Sequence, residues 1–97
     1  MTSKEKCLLI CRLLSDKKAG DIVYSDVAEK TSLCDYFIVC SGRSSTQVKS
    51  LAENLEEKLE KEYGEMPRRR EGVREGRWAV VAFAAVLVHI FRAEERD

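Results

Sequence analysis

The sequence has one proline, one tryptophan, one histidine and no surplus of either charge. Lysine plus arginine and aspartate plus glutamate number 17 each, so the formal net charge is zero. Gripping nucleic acid mainly through its phosphates needs a basic surplus, so little direct nucleic-acid binding is expected. The basic amphipathic stretch of a peripheral membrane protein is also missing. The longest apolar run, Trp78 to Phe91, falls short of the roughly 20 residues that cross a bilayer. Near the start, Arg12 interrupts the apolar positions and no small-residue cleavage site follows, so no signal peptide is expected. The four cysteines, at 7, 11, 34 and 40, contain no C-x-x-C pair, and His89 alone cannot complete a usual zinc spacing. Reduced, partly buried thiols in a cytosolic protein are expected, with no metal and no cofactor.

Ninety-seven residues fit one domain with one core. Thr2 and Glu5 have capping-box spacing, and Leu9, Ile10, Leu13 and Leu14 form a helical stripe, which predicts a helix over Ser3 to Ser15. Lys17, Lys18 and Gly20 are expected to close it. Asp21 to Val27 has the β-branched and aromatic residues of a strand. Tyr36 to Cys40 is continuously apolar, which predicts a central strand covered on both faces. Asp26 and Asp35 border these strands and are expected to hydrogen-bond in loops or caps. Ser44 and Gln47 have capping-box spacing ahead of Val48, Leu51, Ala52, Leu55 and Leu59, which predicts a second helix ending at Tyr63 and stopped by Gly64.

After Pro67, five arginines are interleaved with Glu71 and Glu75. This pattern suits a charged edge strand, guarded against sheet pairing, followed by a loop around Gly72 and Gly76. The run from Trp78 to Phe91 would make a helix apolar on every side, which a domain this small can hardly enclose. Its valines and aromatics favour strands, and fourteen residues are long for one strand. Two strands, Trp78 to Ala82 and Val86 to Phe91, fit better. The turn then falls on Phe83-Ala84-Ala85, poor chemistry for a tight hairpin, which usually needs a positive φ. The fold class is α/β: a small mixed β-sheet flanked by helices, in α-β-β-α-β-β order.

Asp35-Tyr36-Phe37, Gly42-Arg43-Ser44 and Gln47-Val48 together resemble a segment of the ribosomal silencing factor (iojap-like) family. Asp21-Ile22 and Asp26-Val27 upstream, then Pro67, Glu71-Gly72, Trp78, Val88-His89 and Glu94-Glu95-Arg96 downstream, match it in order, so residues 1–97 resemble a single domain of that family. Two departures stand out. The family usually carries Asp-Tyr/Phe-Gly-Asp between its last two strands, where this chain has Ala82-Phe83-Ala84-Ala85. It also tends to continue past the Glu-Glu-Arg tail, where this sequence ends at Asp97.

The resemblance implies a bacterial cytoplasmic protein that binds the large ribosomal subunit through its protein number fourteen. Bound there, such a protein blocks joining with the small subunit and represses translation without catalysis. Partner contact is expected at Trp78, Ala82, Phe83, Ala85, His89 and Arg92. Trp78 also fits simple core packing, and His89 a packed or surface strand residue. A Cys-His pair of His89 with Cys34 or Cys40 would need spatial proximity. The resemblance further implies a nucleotidyltransferase-like fold without catalytic residues. In nucleotidyltransferases the Gly42-x-Ser44 type of turn puts phosphate at a helix N-terminus, but no Asp-x-Asp pair for magnesium follows it here. An oligomerising module is the other alternative, including a dimer that exchanges a strand across the alanine turn.

Overall fold

The computed structural model describes residues 1–95; Arg96, the end of the tail motif, and Asp97 lie outside them. Thr2 starts the first helix, α1 (Ser3–Asp16), through a capping box. Its hydroxyl accepts the Glu5 N–H at 3.1 Å, and the Glu5 carboxylate accepts the Thr2 N–H at 2.8 Å. Cys7, Ile10 and Leu14 form the fully buried stripe, with Leu9 and Leu13 packed against its margin. The helix is closed by Lys17 as C-cap and Lys18, two of the three residues expected to close it, and the left-handed position expected of Gly20 falls on Lys18. Lys18 takes φ 63°, its N–H reaches Ser15 O, and the Ala19 N–H reaches Leu14 O. That pair of bonds satisfies the last carbonyls, and it offsets the cost of a left-handed lysine.

The first strand, β1 (Gly20–Asp26), carries a bulge between Gly20 and Val23 and pairs antiparallel with β2 (Tyr36–Gly42). Asp26 hydrogen-bonds in its loop as expected, accepting the Ala28 N–H at 3.1 Å, whereas Asp35 reaches α1 and accepts the Ser3 hydroxyl at 2.6 Å. The second helix, α2 (Ser45–Tyr63), is capped by Ser44, whose hydroxyl accepts the Gln47 N–H. Gln47 reaches back one residue further than a capping box does, to the Arg43 N–H. Gly64, at φ 66°, ends the helix. Val48, Leu51, Ala52, Leu55 and Leu59 are buried along one side of α2. Truncating a residue such as Leu55 there removes about 2–5 kcal/mol.

The remaining strands are β3 (Arg69–Glu71), β4 (Trp78–Phe83) and β5 (Val86–Arg92), followed by a short 3-10 turn at Ala93–Glu95. The sheet order is β1-β2-β5-β4-β3, with β2 and β5 parallel and every other pair antiparallel. Thus β3 is an edge strand, as its charges predict. The apolar run is two strands joined by Ala84 and Ala85, and Ala85 supplies the positive φ, 70°. The turn is closed within the one chain. Ala85 O accepts the N–H groups of Asp35 and Tyr36, and Ala84 O accepts Lys6 Nζ at 3.1 Å. A strand exchange across this turn would have to break these three bonds within the chain or re-form them between chains.

One expectation fails in an informative way: β2 is not covered on both faces. Both helices pack on the same side of the sheet. Ile38, Cys40, Ala79, Val81, Phe83, Val86, Val88 and Ile90 form one core with α1 and α2. The alternate residues point to the other face, which neither helix covers.

Candidate functional site: the uncovered face of the sheet

Strand register places the residues of this face in rows. Arg69, Ala82, Leu87 and Phe37 are successive cross-strand partners; so are Glu71, Val80, His89 and Val39; Trp78 and Phe91 make a third row. Most are apolar or aromatic. Trp78 is 51% exposed, and Val23 at the β1 edge is 54% exposed. A contiguous apolar patch is uncommon on a free surface, and its usual meaning is a contact site.

The centre of the face is a stack of rings. Phe37 and His89 lie 4.5 Å apart between centroids, His89 and Trp78 5.8 Å, and Trp78 and Phe91 5.2 Å, each pair within 26° of parallel. Trp78 and His89 are diagonal neighbours across β4 and β5, a spacing that aromatic side chains can bridge. Here Trp78 Nε1 donates to His89 Nδ1 at 3.0 Å. Burial holds the His89 pKa below the usual histidine value, and the nearby Arg69 guanidinium lowers it further.

Two hollows flank this stack. One, of about 420 Å³, is lined by Arg69, Glu71, Gly72, Trp78, Val80, Leu87 and His89. The other, of about 230 Å³, shares Arg69 and Leu87 with the first and extends towards Leu33, Ala82 and Ala85. Arg69 and Glu71 pair with each other at the rim. An apolar centre with a polar rim has the anatomy of a protein–protein contact.

Of the six residues expected to touch a partner, Trp78, Ala82 and His89 share this face and Ala85 sits at its border. Phe83 is 3% exposed and belongs to the helix-side core. Arg92 also points to the helix side. Its guanidinium donates to Ser45 Oγ and pairs with Glu94 and Glu95. Phe37, Val39, Leu87 and Phe91 belong to the face and escaped the sequence reading. Their signal was the alternation in register between β2 and β5, hidden because both faces of these strands are apolar.

The Cys-His pairing does not form. Cys40 lies in the core on the opposite side of the sheet, and His89 is engaged by Trp78. Cys34 is buried, and burial and Asp35 push its thiol pKa up. Burial also pushes Cys7 up to about 12, and none of the four cysteines is in a disulfide. The Cys7 and Cys34 thiols stay protonated at neutral pH and are poor nucleophiles. At the Gly42–Ser44 turn, a Cβ on Gly42 would lie 2.8 Å from Val48 Cγ2, so the turn is packed on its own helix. Among the described residues no group of three His, Cys, Asp or Glu side chains could hold a metal ion, and no helix is long and apolar enough to cross a membrane.

The fold and this face define a small α/β domain with one sheet face sealed by helices and the other left open. The comparisons with known proteins agree on what kind. The family model described as "Ribosomal silencing factor during starvation" matches residues 1–97. The chain is 37% identical over 97 residues to the ribosomal silencing factor RsfS of Chromobacterium violaceum, covering all of this chain and 79% of that protein. It is 32% identical over 97 residues to RsfS of Bacillus subtilis, covering all of this chain and 81% of that protein. A crystal structure of a Chromobacterium violaceum protein superposes with a TM-score of 0.89 at 37% identity, covering 95% of this chain and 76% of that one. The chain belongs to the ribosomal silencing factor family.

Proposed function

We propose that this protein is a ribosome-associated silencing factor that docks through its uncovered sheet face. The observation that carries this reading is the ring stack of Phe37, His89, Trp78 and Phe91, which lies on a face that no helix covers. Family membership supplies the ribosome, and the face supplies a surface able to hold a protein partner. The partner is the large ribosomal subunit, contacted at its protein number fourteen. Trp78 is the anchor, with Val80 and Leu87 lining the same hollow and the Arg69–Glu71 pair on the rim. Large aromatic residues concentrate binding energy at the centres of such contacts.

Silencing then needs no catalysis. A rigid domain on the joining face of the large subunit excludes the small subunit by occupying its place. Zero net charge suits contact with a ribosomal protein better than with bare ribosomal RNA. The protein acts in the bacterial cytoplasm, where ribosomes are. The test is co-sedimentation with purified large subunits, followed by a subunit-joining assay. Binding that blocks joining supports the reading, and free joining at saturating protein overturns it.

A further inference from the structure

The Trp78–His89 hydrogen bond fixes more than an orientation. An indole N–H can only donate, so His89 Nδ1 must be the unprotonated nitrogen that accepts it at 3.0 Å. The ring proton therefore sits on Nε2. That atom is buried and finds no acceptor among the described residues. A buried donor left unpaired is costly and calls for a reason. A second proton, on Nδ1, would set one N–H against another and cancel the bond to Trp78.

The surroundings favour the neutral ring. From β3, Arg69 and Glu71 face the imidazole, but they are paired with each other. Trp78 and Val80 of β4, Leu87 and Phe91 of β5, and Phe37 and Val39 of β2 bring no charge. Gly72, from the loop after β3, brings none either. No free carboxylate in that set stabilises an imidazolium.

We propose that His89 is the positioning residue of the docking face: as a neutral imidazole it holds the Trp78 indole in its docking orientation, and on protonation it releases the indole and weakens docking. The docking half of this proposal rests on the proposed function; the coupling of His89 to Trp78 does not. Burial and Arg69 both disfavour the imidazolium, so the transition lies below the ordinary histidine value of 6.5. Above it the face is assembled; as pH falls through it, the anchor is lost.

Trp78 is the only tryptophan of the chain, so its fluorescence and its indole N–H resonance report on this site alone. The experiment titrates the full chain from about pH 8 to about pH 5, with circular dichroism confirming that the fold persists. It compares wild type with His89→Gln, whose amide oxygen can still accept from the indole but does not titrate. Wild type is expected to show one inflection, shared by the Trp78 signals and the His89 ring nitrogens, and His89→Gln none. Co-sedimentation of wild type with large subunits should weaken about tenfold below the inflection, the scale of one lost hydrogen bond and its oriented anchor. Binding of His89→Gln, whatever its strength, should not change with pH over this range.

If the wild-type Trp78 signals do not follow the His89 nitrogens, the proposal is overturned with no need of the variant. An inflection that persists in His89→Gln overturns it too, as does wild-type docking that ignores pH while Trp78 titrates. If Trp78 titrates with His89 but large subunits are not bound at any pH, the docking function fails and the coupling stands.

Discussion

Lys6 Nζ lies 3.1 Å from the carbonyl oxygen of Ala84, 78 residues along the chain. The same ammonium pairs with Glu65 at 2.8 Å, and Lys6 is only 7% exposed. One buried cation thus ties the start of α1, the segment after α2 and the β4–β5 turn together. Removing it leaves Glu65 without its partner and Ala84 O without its donor. Lys6→Met should lower unfolding free energy by about 1–3 kcal/mol, since Glu65 is partly exposed and can rehydrate. Denaturant unfolding checks this, and an unchanged midpoint would show that the tie is incidental.

At the turn itself, Ala85 holds φ 70°. A left-handed alanine costs about 1–2 kcal/mol, and glycine relieves that at some cost in chain entropy. Ala85→Gly is therefore expected to stabilise the protein by about 0.5–1 kcal/mol, raising Tm by about 2–8 °C. Thermal unfolding measures it. A lower Tm would mean that the hydrogen bonds to Ala84 O and Ala85 O already determine the turn.

Trp78 separates folding from docking. Half of it is exposed, and on the fold side it stacks on Phe91 and His89. Trp78→Ala should cost about 1 kcal/mol of stability through lost stacking but at least about 2 kcal/mol of binding, roughly thirtyfold in affinity for large subunits. Comparable losses in both measurements would remove Trp78 from the role of anchor.

The resemblance read from the sequence implies aspartates where this chain has Ala82 and Ala85. Ala82 is the cross-strand partner of Arg69 on the open face. Ribosomal proteins are generally basic, so carboxylates at this border would aid encounter and register. Ala82→Asp with Ala85→Asp should raise the association rate for large subunits and make binding more sensitive to salt. Identical rates at low salt would speak against charge complementarity here.

Much of the architecture was legible because its signals are local. Thr2 with Glu5, Ser44 and Gly64 mark helix ends through hydrogen bonds spanning a few residues. The division of the run from Trp78 to Phe91 followed from residue type and length, even with no glycine at its turn. What stayed hidden is non-local. Lys18 takes the left-handed position that Gly20 was expected to supply, because the bonds to Leu14 and Ser15 carbonyls offset its strain. Phe37 looked covered, within a strand expected to be sealed on both faces, since an apolar residue reads the same whether a helix or a partner covers it. Phe83 and Arg92 looked like partner contacts, because adjacency in sequence does not reveal which side of a pleated strand each one takes. Only the pairing of β5 with β2 and β4 separates the sealed face from the open one.

The most direct test is a joining assay: purified large subunits are saturated with the protein, small subunits are added, and the assembled fraction is read by sedimentation. If the open face seats the domain on the joining surface, assembly falls with increasing protein, and Trp78→Ala restores it. Full assembly at saturating wild-type protein, or equal inhibition by the Trp78→Ala variant, would contradict the account.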